Sequence, residues 1–108
     1  MKSGAELILE ERQRQIESEG YDEAHDSQYD TSALGNAGIC YAVIAGSSAP
    51  IRDAVRKQTE KGIAPTGWPW GAEYWKPGEG NSDSDRVSEL VKSGALIAAE
   101  IDRIQRRQ

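Results

Sequence analysis

Apolar positions along the chain recur with the 3.6-residue period of an α-helix, most clearly in the last quarter of the sequence. There they predict a helix that begins after Ser82 and continues to near the C-terminus, with its periodic positions at Val87, Leu90, Val91, Gly94, Ile97, Ala98, Ile101 and Ile104. Ser82 and Asp85 have the spacing of a capping box, in which each side chain accepts a hydrogen bond from the other residue's backbone N–H. Arg103, Arg106 and Arg107 lie in the final turns, where positive charge stabilises the helix dipole.

The first thirty residues combine another predicted helix with most of the chain's negative charge. The helix covers residues 4–19: Ser3 and Glu6 form a second capping box, and Gly20 provides a left-handed stop. These thirty residues contain nine acidic and three basic side chains, a net charge of −6, whereas the remaining residues carry nine acidic and ten basic side chains, a net charge of +1. The overall charge of −5 is therefore local to the N-terminal part.

Two further helices are predicted in the middle of the chain. The first covers residues 31–45, is capped by Asp30 and has an apolar stripe made of Ala33, Leu34, Ala37, Cys40, Tyr41 and Ile44. Gly35 and Gly38 each lower helix propensity by about 1 kcal/mol relative to alanine, so we expect them to allow close contact with another helix. The second covers residues 51–61 and is mostly charged, which places it at the periphery.

Residues 63–82 carry three prolines, four glycines and all three tryptophans, a composition that excludes a long regular element. Because flexible linkers seldom contain tryptophan, we expect a structured aromatic loop. No stretch of useful length shows the alternation of a β-strand. The sequence therefore predicts one all-α domain over residues 1–108, a small bundle of three to four helices with an irregular Trp-rich loop packed on it.

Composition narrows the chemistry that this domain can perform. With one histidine and one cysteine, the chain cannot supply the ligands of a zinc site and cannot form an internal disulfide. The apolar neighbours of Cys40 indicate a buried thiol in a reducing compartment. No run approaches the roughly 18 apolar residues of a membrane span, and the acidic charge balance argues against binding to duplex DNA. We expect a cytoplasmic protein that contacts no membrane and uses no metal or cofactor.

The aromatic loop gives the strongest binding signal in the sequence. Trp68, Trp70 and Trp75 lie close to Lys76, and flat rings beside a cation can stack a planar base while the cation holds its phosphate. The alternative is that the rings close the end of a bundle that contains no phenylalanine. Both roles can apply, each to different rings.

The N-terminal part adds further candidate contacts. Arg12 falls on the apolar side of the first helix, where an unpaired cation is costly to bury, so it requires either an internal carboxylate or a ligand phosphate. Arg14 lies on a different face of the same helix. Tyr21, His25 and Asp26 supply polar groups for a sugar or a base, and His25 can alternatively act as a general base or fix a loop.

Two other functions remain open on the sequence. A divalent-metal nucleotide pyrophosphohydrolase would use Glu10, Glu11 and Asp102, although neither the first nor the last predicted helix contains the carboxylate pairs, three residues apart, that hold magnesium in such helical enzymes. A protein–protein interaction module would instead present the tryptophan loop to a host protein.

The order of the motifs resembles that of a family of small phage and prophage proteins, and the resemblance spans almost the whole chain. The residues that carry it are Glu11-Arg12-Gln13-Arg14-Gln15, Glu19-Gly20-Tyr21, His25-Asp26, Cys40-Tyr41, Trp68-Pro69-Trp70, Trp75-Lys76-Pro77, and residues 90–97 and 100–101. This resemblance alone does not supply a function.

The chain is also distantly similar to the RyR domain, the repeat module of ryanodine receptors that also occurs in bacterial and phage proteins. The matching residues, in the module's order, are Arg14, Glu19-Gly20-Tyr21, His25-Asp26, Pro69-Trp70 and Asp85-Arg86. The chain departs from the module at Tyr21, where tryptophan is usual, and by an insertion over residues 31–62. The similarity implies a mostly helical, non-enzymatic domain whose first helix and aromatic loop line a pocket for a nucleotide-type ligand.

These features together predict a phage-type, RyR-like anti-defence module that captures a nucleotide-derived ligand, such as a host immune signal, and sequesters it without catalysis. We expect a homo-oligomer with sites between subunits, located in the cytoplasm of the host bacterium. The expected ligand contacts are Arg12, Arg14, Tyr21, His25, Asp26, Trp68, Trp70, Trp75 and Lys76.

Overall fold

The computed structural model describes residues 1–18, 20 and 32–107, and this part of the chain contains four α-helices and no β-strand. The helices are α1 (Gly4–Ser18), α2 (Ala33–Ala45), α3 (Ala49–Glu60) and α4 (Asp83–Arg106), with a short 3-10 turn at Ala72–Tyr74 inside the loop that joins α3 to α4. The predicted all-α class, the number of helices and the irregular Trp-rich loop are confirmed. Among these helices none has the length and apolar character required to cross a membrane.

The helix ends follow the local sequence signals. Ser3 Oγ accepts a hydrogen bond from the Glu6 backbone N–H at 3.2 Å, and the Ser3 N–H donates to Glu6 Oε1 at 3.1 Å. The same reciprocal pair forms at the start of α4, where Ser82 Oγ accepts from the Asp85 N–H at 3.0 Å and the Ser82 N–H donates to Asp85 Oδ2 at 3.1 Å. Gly20 has a φ of +72°, the left-handed conformation that glycine adopts without strain. Both predicted capping boxes and the glycine stop are confirmed.

Helix α2 forms the centre of the fold. The six residues of its predicted apolar stripe are all buried: Ala33, Leu34, Ala37, Cys40, Tyr41 and Ile44. A Cβ atom at Gly38 would lie 3.0 Å from Ile97 Cγ1 and 3.1 Å from the Ser93 backbone oxygen, so a side chain at this position would require α4 to move back by a few tenths of an ångström. Asp30, the predicted cap of this helix, lies outside the described residues, and α2 begins at Ala33 after Ser32.

The hydrophobic core lies between α2, α4 and the aromatic loop. Its buried members are Leu34, Ala37, Cys40, Tyr41, Ile44, Trp75, Leu96 and Ala99. Cys40 is buried, as the sequence predicts, and burial raises the pKa of its thiol. Because the thiolate is the reactive form, Cys40 serves packing and is a poor candidate for a nucleophile.

Helix α4 turns an unexpected face toward the core. Its buried residues are Glu89, Ser93, Ala95, Leu96, Ala99, Glu100 and Arg103. Four of the larger apolar residues that define its helical period are instead between 40 and 51% exposed: Val87, Leu90, Ile97 and Ile101. Small residues on the buried face allow close contact with α2, and the charged residues on it are paired, as in the 2.6 Å contact from Arg103 Nε to Glu100 Oε1. The period predicted the helix correctly but does not identify its buried face.

Helix α3 is peripheral, as its charged sequence predicts, with one exception. Arg52 is completely buried, and its guanidinium forms a two-pronged ion pair with buried Glu89, with nitrogen–oxygen distances of 2.5 and 2.8 Å. Arg52 also donates to the backbone oxygens of Ile44 and Gly80 at 2.8 and 2.7 Å, and to Asn81 Oδ1 at 3.0 Å. One side chain therefore joins α2, α3, α4 and the end of the aromatic loop.

Candidate functional site

The tryptophans of the loop form an aromatic cluster with Tyr41 of α2. Trp75 is 3% exposed, its ring lies 4.7 Å from the Tyr41 ring, and its Nε1–H donates to Thr59 Oγ1 at 3.1 Å. Trp68 meets Tyr41 and Trp70 edge to face, with ring centroids 5.7 and 5.5 Å apart. Edge-to-face contacts of this kind stabilise neighbouring rings beyond the area that they bury. The four rings therefore form one packed aromatic surface.

Backbone hydrogen bonds hold the loop on the helices where Lys76 follows the cluster. The Lys76 N–H donates to the Tyr41 hydroxyl at 3.1 Å, and its carbonyl oxygen accepts from Lys92 Nζ at 2.9 Å. Trp68 Nε1–H donates to the carbonyl oxygen of Gly71 at 3.0 Å. With its backbone fixed to α2 and α4, the exposed side chain of Lys76 extends from a defined point.

A cleft of about 290 Å³ lies beside the aromatic cluster, close to the lower limit of ordinary small-molecule sites. Helix α1, α2, the loop and α4 all contribute to its lining, which consists of Glu11, Arg14, Gln15, Tyr41, Trp68, Trp70, Tyr74, Lys76, Lys92 and Leu96. Gln15, Tyr41 and Leu96 are at most 5% exposed and form its floor. Tyr74 and Lys76 are exposed and form part of its rim.

The cleft carries an excess of positive charge, with Arg14, Lys76 and Lys92 against the single carboxylate of Glu11. Arg14 forms a two-pronged pair with Glu11, in which Nε donates to Oε1 and Nη2 donates to Oε2, each at 2.7 Å. Burial disfavours the charged form of Glu11, but hydrogen bonds from Arg14 and Gln15 and the charges of Arg14 and Lys92 outweigh it and hold the pKa of Glu11 below its ordinary value. Glu11 is therefore ionised at neutral pH.

The lowered pKa of Glu11 predicts a pH-dependent contribution to stability. A carboxyl group whose pKa is lower in the folded state stabilises the fold above its unfolded-state pKa, and this stabilisation is lost as the pH falls through the folded-state value. At pH 7 we expect Glu11→Gln to lower the free energy of unfolding by about 1 kcal/mol, a modest figure because Arg14 is partly exposed to solvent. Denaturant titrations of both proteins should show this difference shrinking below pH 4.5. Glu10→Gln is the matched surface control, and a difference that grows on acidification would contradict the assignment.

The structure brings four of the sequence-predicted contacts together and separates others from them. Arg14, Trp68, Trp70 and Lys76 line the cleft. Trp75 lies in the core and supports the cluster from within, which is the packing role that the sequence left open for the rings. Arg12 is half-buried on α1 and is not part of the lining. The other three predicted contacts, Tyr21, His25 and Asp26, lie outside the described residues.

Sequence reasoning missed six lining residues: Glu11, Gln15, Tyr41, Tyr74, Lys92 and Leu96. Two of them could have been found from the sequence. Glu11 and Gln15 are four positions apart, which places them on one helix face, and Arg14 lies between them in the chain. Lys92 had no comparable signal, since its place in the site depends on how α4 crosses the loop.

Among the described residues, no three His, Cys, Asp or Glu side chains lie close enough together to hold a metal ion. Two carboxylates named for a hydrolase are instead paired with cations: Glu10 Oε1 lies 2.5 Å from Lys2 Nζ, and Glu11 binds Arg14. Within this part of the chain the cleft is lined mainly by aromatic rings and charged side chains.

Comparisons with known proteins give no relative from which a role for the cleft could be inferred. No protein-family model, curated protein or solved structure matches the chain. The similarity to phage proteins and to the RyR domain therefore stays a prediction, and the function has to be argued from the cleft.

Proposed function

We propose that the chain is a small phage-type binding module that captures a nucleotide-derived, anionic ligand in this cleft and sequesters it without chemical conversion. The observation that carries the proposal is the meeting of Trp68 and Trp70 with Arg14, Lys76 and Lys92 around one cleft. Rings and cations are the two side-chain classes that a planar base with an attached phosphate requires. A host immune signalling nucleotide is the ligand class that the RyR similarity suggests, and its removal would make the protein an anti-defence factor.

Each part of the cleft supplies one part of the expected binding energy. Stacking of a base on an aromatic side chain contributes about 1–3 kcal/mol. Arg14, whose guanidinium is paired with Glu11, adds positive charge beside the cleft, and Lys76 and Lys92 act as point charges for phosphate oxygens. Because Trp68 and Trp70 already pack against neighbouring rings, we expect little conformational entropy to be lost when a base packs on them.

The direct experiment is a thermal-shift screen with nucleoside monophosphates, cyclic nucleotides and ADP-ribose derivatives, followed by heat denaturation and analysis of the released compound. We expect at least one compound to raise the melting temperature and to be recovered unchanged. Absence of any shift and of any retained compound would refute binding. Magnesium-dependent loss of the nucleotide would instead support the hydrolase, and a stoichiometric host protein without small-molecule binding would support the interaction module.

Charge reversal at Lys76 tests the anion-binding role of the rim. We expect Lys76→Glu to weaken binding of a nucleoside monophosphate by about tenfold or more, because a carboxylate would then face the phosphate. The melting temperature should change little, since the side chain is exposed. Lys57→Glu is the control, because Lys57 is also exposed but lies on α3, away from the cleft lining. This variant should bind like the unmodified chain. Equal loss in both variants would indicate a general effect of net charge.

The proposal includes self-association, and the exposed apolar residues of α4 support it. Val87, Leu90, Ile97 and Ile101 lie on one helix and are 40–51% exposed, whereas soluble monomers seldom expose large contiguous apolar patches. We expect light scattering to give a particle mass of at least twice the 11.8 kDa of one chain. A monomer at micromolar concentration would contradict this part of the proposal and leave the cleft unaffected.

A further inference from the structure

Tyr74 carries the most exposed aromatic ring of the cleft lining. It ends the 3-10 turn Ala72–Tyr74 and is 58% exposed. Within residues 32–107, ring contacts join the other four aromatic residues, Tyr41, Trp68, Trp70 and Trp75. In this part of the chain the ring of Tyr74 takes part in none of them. Its surface is therefore open to a molecule that enters the cleft.

The buried ring of Trp75 determines where its two neighbours in the chain point. Trp75 has extended backbone angles, with φ −83° and ψ 110°. The two residues that flank an extended residue place their side chains on the side opposite to its own. Because the Trp75 ring lies in the core, Tyr74 and Lys76 both point outward, and both line the cleft. A ring and a cation thus lie two positions apart on the same side of the loop.

Hydrogen bonds fix the backbone on both sides of Trp75. The carbonyl oxygen of Gly71 accepts from the Tyr74 N–H at 3.1 Å and from Trp68 Nε1–H at 3.0 Å, which joins the turn to the aromatic cluster. On the other side, the Lys76 N–H donates to the Tyr41 hydroxyl. A tyrosine side chain has only two rotatable angles, so a ring on a fixed backbone loses little conformational entropy when it packs on a ligand.

This arrangement matches the two ends of a nucleotide. A planar base has two faces, and the packed rings of Trp68 and Trp70 supply a contact for one of them. Tyr74 is the lining ring left for the other face, and Lys76 lies where a cation can meet the attached phosphate. Aromatic stacking depends on the π-face that every base has, so this contact does not require a particular hydrogen-bonding pattern.

We propose that Tyr74 is a ligand-contacting residue that packs on the base of the bound nucleotide from the rim of the cleft, while Lys76 holds the phosphate and the buried Trp75 between them anchors both. This inference rests on the proposed function. It assigns the base and the phosphate to two residues of one short segment, and substitutions in that segment can therefore separate the two contacts.

The test compares adenosine monophosphate with adenosine, which lacks only the phosphate. We expect Tyr74→Ala to weaken the binding of both compounds by about fivefold, because both carry the base. Tyr74→Phe keeps the ring and should bind both within about twofold of the unmodified chain. Ile63→Ala is the control, since Ile63 is an exposed residue of the same loop that does not line the cleft, and it should leave both affinities unchanged.

Lys76→Glu provides the opposite pattern. It should weaken the binding of adenosine monophosphate and leave that of adenosine within about twofold, because only the phosphate meets the lysine. Tyr74→Ala should instead keep the ratio of the two affinities. The melting temperature of Tyr74→Ala should change little, since the ring is exposed. An unchanged affinity in Tyr74→Ala would overturn the role of the ring, and equal losses in Tyr74→Ala and Tyr74→Phe would assign the effect to the hydroxyl and overturn stacking.

A measurement without substitution gives an independent reading of the same contact. In NMR spectra of the unmodified chain saturated with adenosine monophosphate, we expect nuclear Overhauser effects between the ring protons of Tyr74 and the adenine protons. A saturated complex without them would overturn the contact and leave the proposed function intact. Failure of both compounds, and of the wider nucleotide panel, to bind would refute the proposed function itself.

Discussion

Replacement of Arg52 by methionine is expected to lower the free energy of unfolding by about 3–5 kcal/mol, the largest effect we predict for a single side chain. The substitution leaves the carboxylate of Glu89 buried without its partner, and both residues are completely buried in the fold. It also removes the hydrogen bonds to the oxygens of Gly80 and Asn81, which hold the end of the aromatic loop. Urea denaturation followed by circular dichroism measures the loss.

Two further variants separate the ion pair from general effects of substitution in α3. Lys57→Met changes an exposed residue of the same helix and should alter stability by no more than about 0.5 kcal/mol. The double variant Arg52→Met with Glu89→Leu should recover much of the loss, because it replaces both charges by apolar groups. A loss below about 1 kcal/mol in Arg52→Met alone would show that the buried pair does not hold the fold together.

Replacement of Trp70 by alanine should have the largest effect on binding. Trp70 lines the cleft and packs edge to face with Trp68, so its removal deletes a stacking surface and leaves a gap in the cluster. Loss of one stacked base costs about 1–3 kcal/mol, which corresponds to roughly five- to 150-fold weaker binding of adenosine monophosphate. Calorimetric titration under identical salt conditions gives the ratio of dissociation constants.

Trp70→Phe is the matched variant for this prediction, since it keeps a flat ring in the same position. It should bind within a few-fold of the unmodified chain, and its melting temperature should lie between those of the unmodified chain and Trp70→Ala. Unchanged affinity in Trp70→Ala would mean that this ring does not touch the ligand. Equal losses in both variants would point to a packing role.

Local signals in the sequence predicted most of the fold. The capping boxes at Ser3 and Ser82 mark helix starts because they depend on residues only three positions apart. The buried stripe of α2 was also predictable, because its members recur with the helical period, although Ile39 and Val43 of the same helix lie off the stripe and are exposed. Gly38 was also identifiable, because a glycine inside a helix costs stability unless a neighbouring backbone requires the space.

Features that depend on two distant segments were not predictable. Arg52 and Glu89 are 37 positions apart, and nothing in the charged sequence around Arg52 distinguishes it from its exposed neighbours. The buried face of α4 includes the charged residue Glu89, so a search for apolar periodicity does not find this face. The sequence named Trp68 and Trp70 as candidate contacts and left a packing role open for them, and both line the cleft. Lys92 lines it only because α4 crosses the loop at that point.

The central claim, that Trp68 and Trp70 meet a nucleotide while Trp75 supports them from the core, is tested most directly by the indole N–H signals of the three tryptophans. A proton–nitrogen NMR spectrum resolves one such signal for each ring, and single Trp→Phe variants assign them. During titration with adenosine monophosphate, the signals of Trp68 and Trp70 should shift and saturate, and that of Trp75, hydrogen-bonded to Thr59, should stay in place. A spectrum in which no nucleotide moves any indole signal, or in which only the Trp75 signal moves, would contradict the claim.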